Sequence, residues 1–93
     1  MDKKKNIYKK HVLLVFRDRG RRGVLDERLG SLKHRFPTIK VKTIEMERDW
    51  RRPIRHKIAK LPTVILLKDG AEVDRVEDDD RTLLEILFRK ATL

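Results

Sequence analysis

The fold is decided by the stretch Lys60-Leu61-Pro62-Thr63-Val64-Ile65-Leu66-Leu67-Lys68-Asp69-Gly70-Ala71-Glu72-Val73. Its apolar run from Val64 to Leu67 has no polar break, which is typical of a strand covered on both faces. Asp69-Gly70 follows at once and is the strongest two-residue signal for a β-hairpin. Pro62 cannot donate a ladder hydrogen bond, so it belongs at the entrance of the strand. The stretch therefore predicts a central strand, a tight turn and a shorter, more polar return strand.

The first half of the chain predicts a strand, a helix and a second strand. Val12–Phe16 is another unbroken apolar run, and residues 39–46 alternate apolar and polar side chains, as in a strand near a sheet edge. Between them, apolar residues at helical spacing form one stripe: Leu25, Leu29, Leu32 and Phe36. Pro37 ends that helix. A strand–helix–strand unit of this length predicts parallel strands joined by a right-handed crossover.

The second half adds two helices. Trp50, Ile54 and Ile58 predict a short helix that begins near Arg52, and Asp80 is a suitable N-cap for a last helix. The apolar stripe predicted for that last helix contains Leu83, Leu84, Ile86, Leu87 and Ala91. The predicted fold class is α/β with the order β-α-β-α-β-β-α. We expect a four-stranded mixed sheet in the order 2-1-3-4, with three parallel strands, an antiparallel fourth and helices on both faces.

Length and composition limit the possible classes of protein. The 93 residues are enough for one domain, which we expect at 11–93 after a basic N-terminal tail at 1–10. No run approaches the roughly 18 apolar residues of a membrane span, and no secretory signal is evident, so a cytoplasmic location is expected. The formal net charge of +10 favours anionic partners, although a solvated charged surface explains it equally well.

The sequence gives little support for catalytic activity. The chain has no cysteine, which excludes thiolate nucleophiles, disulfides and cysteine-ligated zinc. His11, His34 and His56 have no metal-ligand spacing, and Ser31 lies in no nucleophile elbow. The acidic run from Asp78 to Asp80 fits a helix start better than a cation site. We therefore predict no enzyme activity, no cofactor and no metal.

Several of these motifs resemble a known fold. Leu61-Pro62-Thr63, followed by Leu67-Lys68-Asp69-Gly70, resembles the second half of the thioredoxin fold, in which the proline is cis and faces the active-site loop. Adding Phe16-Arg17-Asp18, Leu25-Asp26-Glu27-Arg28-Leu29 and Phe36-Pro37 makes the pattern similar to the thioredoxin-fold domain of phosducin-like proteins. The resemblance covers about residues 11–90. It implies a redox-inactive adaptor that binds protein partners, since many phosducin-like proteins lack the redox cysteines.

The redox motif of the fold corresponds to Arg21-Arg22-Gly23-Val24 in this chain. The predicted partner- or anion-binding site is a basic patch at that corner, made of Arg17, Arg19, Arg21, Arg22, Arg51, Arg52, Arg55 and Pro62. Arginine side chains and a helix N-terminus suit carboxylate or phosphate groups, so we expect an acidic protein partner. The competing interpretation is a set of solvated arginines paired with nearby acids. The alternative function is unspecific nucleic-acid binding through the net positive charge.

Overall fold

The computed structural model describes residues 11–20, 23–47 and 57–93. The predicted tail at 1–10 lies outside this part of the chain. The described secondary-structure elements, in chain order, are strand β1 His11–Asp18, helix α1 Val24–Arg35, strand β2 Lys40–Met46, strand β3 Thr63–Lys68, strand β4 Ala71–Val76 and helix α2 Arg81–Lys90. No helix among these elements is long and apolar enough to cross a membrane.

The strands form one mixed sheet in the order β2-β1-β3-β4, which confirms the predicted order. β1 and β2 are parallel, with Leu13 beside Val41, as the strand–helix–strand unit requires. The expected parallel pairing of β3 with β1 is wrong, because β3 runs antiparallel to β1 and pairs Leu13 with Leu66. β2 ends at the same end of the sheet as β1, and β3 starts at that end, so β3 runs back in the opposite direction.

The turn between β3 and β4 has the geometry that its sequence predicts. Asp69 and Gly70 both have positive φ, 54° and 85°, and Lys68 pairs directly with Ala71 across them. Two consecutive positive φ angles give a hairpin turn whose twist matches that of the strands. β4 pairs antiparallel with β3, with one irregularity in register at Leu66 and Leu67.

Both described helices cover the same face of the sheet. Leu13, Val15, Val64 and Leu66 from the strands form one buried cluster with α1 and α2. Phe36, directly after α1, lies 5.9 Å from Phe88 of α2 between ring centroids. A burial of this kind contributes about 1.5–3 kcal/mol for each fully buried large side chain.

The opposite face carries a smaller buried cluster, formed by Leu14, Phe16, Ile58 and Ile65. The helix predicted for this face falls largely in residues 48–56, which lie outside the described residues. Lys57–Lys60 has no helical structure, but Ile58 is buried in this cluster, as its position in the predicted stripe requires.

Helix α2 begins as predicted, but its buried face differs in part from the predicted apolar stripe. The Asp80 carboxylate accepts a hydrogen bond of 2.9 Å from the Leu83 backbone N–H, which confirms the N-cap. Leu84, Leu87, Phe88 and Ala91 are buried, whereas Leu83 and Ile86 remain about half exposed. The packed face is therefore rotated toward Phe88, because this ring meets Phe36 of the neighbouring helix.

Candidate functional site

An open pocket of about 380 Å³ lies where β1 ends, α1 begins and the chain enters β3. Its residues are Arg17, Asp18, Gly23, Val24, Leu25, Asp26, Leu61, Pro62 and Asp79. The Leu61–Pro62 peptide bond is cis. Two of the predicted site residues, Arg17 and Pro62, therefore line one pocket although they are far apart in sequence.

Arg17 forms the floor of this pocket rather than an exposed contact. It continues the alternation of Leu13 and Val15 on β1, so its side chain points to the face that α1 covers, and it is 6% exposed. Its guanidinium binds the Asp26 carboxylate of α1 through both terminal nitrogens, with Nη2 3.0 Å from Oδ2. The hydrogen bond to Asp26 raises the pKa of Arg17, against an opposing effect of burial. The pair fixes the first turn of α1 to the end of β1.

Asp26 has a second role in the same turn. Its Oδ2 accepts a hydrogen bond of 3.2 Å from the Gly23 backbone N–H, directly before the helix. Gly23 has φ of 142°, which an L side chain rarely adopts, so the glycine permits this entry into α1. One carboxylate thus binds the buried guanidinium and satisfies a donor at the helix start.

Arg19 is exposed and forms an ion pair with Glu47, with Nη1 2.6 Å from Oε2. Both side chains are more than half exposed, so the pair contributes little to stability. Arg19 does not line the pocket. The remaining residues of the predicted patch, Arg21, Arg22, Arg51, Arg52 and Arg55, lie outside the described residues.

The described residues that line the pocket include more acidic side chains than the sequence predicted. Asp18, Asp26 and Asp79 face the pocket with Arg17, so three carboxylates accompany one guanidinium. Arg28 of α1 donates to the Asp79 backbone carbonyl, and its guanidinium lies 3.7 Å from the Asp79 carboxylate. This contact ties the loop before α2 to α1 and brings Asp79 to the pocket. No local motif predicted it, since it joins residues 51 positions apart.

The sequence analysis also missed the apolar wall of the pocket. Val24, Leu25 and Leu61 line it beside Pro62, and Val24 is 48% exposed. A large apolar side chain exposed at the rim of a pocket is a usual feature of a ligand- or partner-binding site. The sequence pattern could have indicated Val24, because this residue lies one position before the helical stripe and therefore outside the packed face.

Comparison with solved structures identifies the architecture. Thioredoxin from Fasciola hepatica matches with a TM-score of 0.75 at 16% sequence identity, covering 92% of this chain and 85% of that one. Thioredoxin from Trypanosoma brucei brucei gives 0.72 at 16% identity, covering 92% and 80%. The chain has a thioredoxin-like fold. A cysteine-to-serine mutant of Entamoeba histolytica thioredoxin matches with a TM-score of 0.67 at 26% identity, covering 89% and 83%.

Sequence comparisons give no further assignment, because no family model matches the chain and no curated protein matches it either. The chain differs from a dithiol oxidoreductase in one decisive respect, since it contains no cysteine. Dithiol exchange requires thiolates, so the residues of this chain cannot perform it. The described residues of the pocket offer apolar contact, carboxylates and backbone groups, which suit binding.

Proposed function

We propose that this protein is a redox-inactive, thioredoxin-fold binding protein that docks a segment of an acidic protein partner at the pocket. The observation that carries the proposal is the pocket itself, which is lined by the exposed Val24 and by Leu61 and Pro62, in a chain without thiols. The motifs shared with phosducin-like proteins support an adaptor role over an enzymatic one, and with it a cytoplasmic location.

The apolar wall supplies the anchor for such a segment. Full burial of a valine side chain contributes about 1.5–3 kcal/mol, and Val24 has roughly half of its surface left to bury. A partner side chain that covers it should therefore gain about 0.7–1.5 kcal/mol from Val24 alone. That is a factor of about 3–12 in affinity.

The preference for an acidic partner depends on arginines that are close in the sequence to residues of the pocket. Arg21 and Arg22 directly precede Gly23, which lines the pocket, and the segment with Arg51, Arg52 and Arg55 leads toward Leu61. Their charge has to exceed that of Asp18 and Asp79, which face the same space. Guanidinium groups bind carboxylates with two parallel hydrogen bonds, which gives an acidic segment orientation as well as affinity.

Two labelled peptides test the preference. Both carry the same leucine and proline residues, and one has glutamates where the other has lysines. Fluorescence anisotropy should give tighter binding of the glutamate peptide, and the Arg21→Ala/Arg22→Ala variant should remove most of the difference. Tighter binding of the lysine peptide would overturn the acidic partner and leave the described carboxylates as the recognition groups.

A pair of valine variants tests the location of binding. Val24→Ser should weaken the better peptide by about 3–12-fold, for the reason given above. Val73→Ser is the matched control, because Val73 on β4 is 54% exposed and does not line the pocket. Equal effects of the two substitutions would exclude the pocket as the docking site.

The alternative function is unspecific binding of nucleic acid through the net positive charge of +10. Asp18 and Asp79 at the pocket oppose phosphate groups and partner carboxylates alike, so the salt dependence of duplex binding, rather than the pocket lining, distinguishes the two functions.

A further inference from the structure

The sheet has two outer strands, β2 and β4, and neither has a partner on its far side among the described strands. The outer edge of a strand carries backbone N–H and C=O groups that can pair with another chain. Proteins commonly block such an edge with a β-bulge, with charged side chains or with a covering segment. The two edges of this sheet differ in how far they are blocked against a second copy of the same strand.

The edge of β4 is blocked in two ways. Its register with β3 is irregular at Leu66 and Leu67, which interrupts a regular ladder. The middle of the strand also carries two carboxylates, Glu72 and Asp74. If two copies of β4 paired antiparallel about residue 72, 73 or 74, these carboxylates would lie directly opposite their own kind or each other. Like charges in directly opposed positions destabilise a strand pair, so β4 is unsuited to pair with itself.

β2, by contrast, is regular along its whole length. Each of its residues from Lys40 to Met46 has a partner on β1, without a shift in register. The Met46 carbonyl accepts a hydrogen bond of 3.1 Å from the Arg19 backbone N–H, on the side of β1. Because the backbone groups of successive residues in a strand point to alternate sides, the even-numbered residues of β2 bond toward β1. The residues that direct their N–H and C=O groups outward are Val41, Thr43 and Glu45.

The side chains along this edge leave room for a neighbouring strand. Val41 lies beside Leu13 and therefore on the face of the sheet that α1 covers, as do Thr43 and Glu45, two and four positions later. Val41 is half-buried against the core, whereas Thr43 and Glu45 are exposed. The helix therefore leaves this part of β2 uncovered. In the part of the chain that the structure describes, no hydrogen bond involves the three outward-directed backbones.

Two copies of β2 match each other best about Thr43. A two-fold axis perpendicular to the sheet makes the strands antiparallel and keeps every side chain on its own face. An axis through Thr43 sets this residue opposite its equivalent and sets Val41 opposite Glu45 of the other copy. All three outward-directed residues then exchange two N–H···O bonds with the residue opposite, which gives six hydrogen bonds between the strands.

The side chains also fit this register. Threonines in directly opposed positions form a favourable cross-strand pair. Lys40 and Lys42 lie opposite Met46 and Ile44 of the other copy, where the lysine stems can pack on apolar side chains. No like charges are directly opposed. An axis through Lys42 would set two ammonium groups against each other, and an axis through Ile44 would leave one of the three outward-directed residues beyond the end of the other strand.

We propose that β2 is an interaction edge that pairs with β2 of a second copy of this chain, joining two four-stranded sheets into one sheet of eight strands. The contact uses the same residues on both copies, so it closes on itself and forms a dimer rather than a growing fibre. None of the three outward-directed residues lines the pocket, so a peptide can bind there in the dimer. The dimer therefore does not depend on the function proposed for the pocket.

Sedimentation equilibrium of the whole protein over a range of concentrations tests the pairing, and the unmodified chain should reach twice its single-chain mass. Thr43→Lys should raise the dissociation constant of the dimer at least about tenfold, because it sets two ammonium groups against each other at the axis. The matched control is Val73→Lys, which adds the same charge at an exposed position of the other outer strand and should leave the dimer unchanged.

A charge exchange tests the register. Thr43→Glu alone should weaken the dimer as Thr43→Lys does, because it opposes two carboxylates. An equimolar mixture of the two variants should associate more tightly than either variant alone, since lysine then lies opposite glutamate at the axis. If the axis passed through Ile44 instead, position 43 would lie opposite Glu45, and Thr43→Lys would strengthen the dimer.

Four results would overturn the proposal. The first is a single-chain mass at every concentration up to about 1 mM, which would exclude a second copy as the occupant of the edge. The second is an equal effect of Thr43→Lys and Val73→Lys, and the third is a mixture that associates no better than its components. The fourth is assemblies that keep growing with concentration, which would pair β2 with β4 of the next copy. Circular dichroism verifies that each variant is folded.

Discussion

Replacing Asp26 by asparagine isolates the ion pair beneath the pocket. The substitution keeps the size of the side chain and an oxygen that can accept from Gly23, but it removes the charge that faces Arg17. Removal of one partner from a fully buried pair costs about 3–5 kcal/mol, because the other charge stays buried. The side chain of Asp26 is 32% exposed and that of Arg17 is 7% exposed, so water relieves part of that cost. We expect Asp26→Asn to destabilise the domain by about 2–3 kcal/mol.

Urea denaturation followed by circular dichroism measures this loss. With a slope of about 1.5 kcal/mol per molar urea, the midpoint should fall by about 1.3–2 M. Glu27→Gln is the matched control, because Glu27 is the next residue in the same turn and is exposed. Its midpoint should stay within about 0.3 M of the unmodified protein, as for most surface substitutions.

An apolar pair completes the test. In Arg17→Met/Asp26→Leu both charges are absent, so neither remains buried alone, and the double variant should recover much of the stability that Asp26→Asn loses. If Asp26→Asn proves as mild as Glu27→Gln, the assignment of Arg17 as a buried charge that depends on Asp26 is refuted.

Two further predictions concern charge and backbone conformation. Hydrogen bonds from Arg35 and then Arg89 lower the pKa of Glu85 from 4.5 to about 2, so the stability that Glu85 contributes is present above pH 4.5 and lost as the pH falls toward 2. Thermal melts between pH 5 and 2 should therefore show a shallower decline in Glu85→Gln than in the unmodified protein, and parallel curves would contradict the assignment. Gly70→Ala should destabilise by about 1–2 kcal/mol, because φ is +85° there, whereas Gly30→Ala in the middle of α1 should stabilise by up to about 1 kcal/mol. Urea midpoints that shift in the same direction for both glycines would contradict this account.

Local patterns were sufficient to predict most of the described elements. The apolar runs of β1 and β3, the Asp69-Gly70 turn and the Asp80 cap each depend on a few neighbouring residues, and each is present in the structure. The direction of β3 was predicted wrongly because the apolar pattern of a buried strand is the same whichever way the strand runs. Only the length and route of the connection before it decide the direction, and no local signal encodes that route.

The pocket could be predicted only in part for a similar reason. Arg17 and Pro62 line one pocket, and the alternation in β1 indicates that Arg17 shares the inner face with Leu13 and Val15. The charge of Arg17 suggests a contact with a partner, whereas its position in the strand places it in the interior. The approach of Asp79 depends on how α1 and α2 pack, which sequence spacing does not reveal.

The sheet is divided between two consecutive parts of the chain, since β1 pairs with β2 and β3 pairs with β4, and the two pairs meet only along β1 and β3. Each part presents to the other an apolar surface that water would otherwise wet, on both sides of the sheet. Neither part retains a dry interior by itself. Folding of this domain is therefore expected to be all-or-none. Removal of either part should unfold the other part as well, rather than shorten the sheet by two strands.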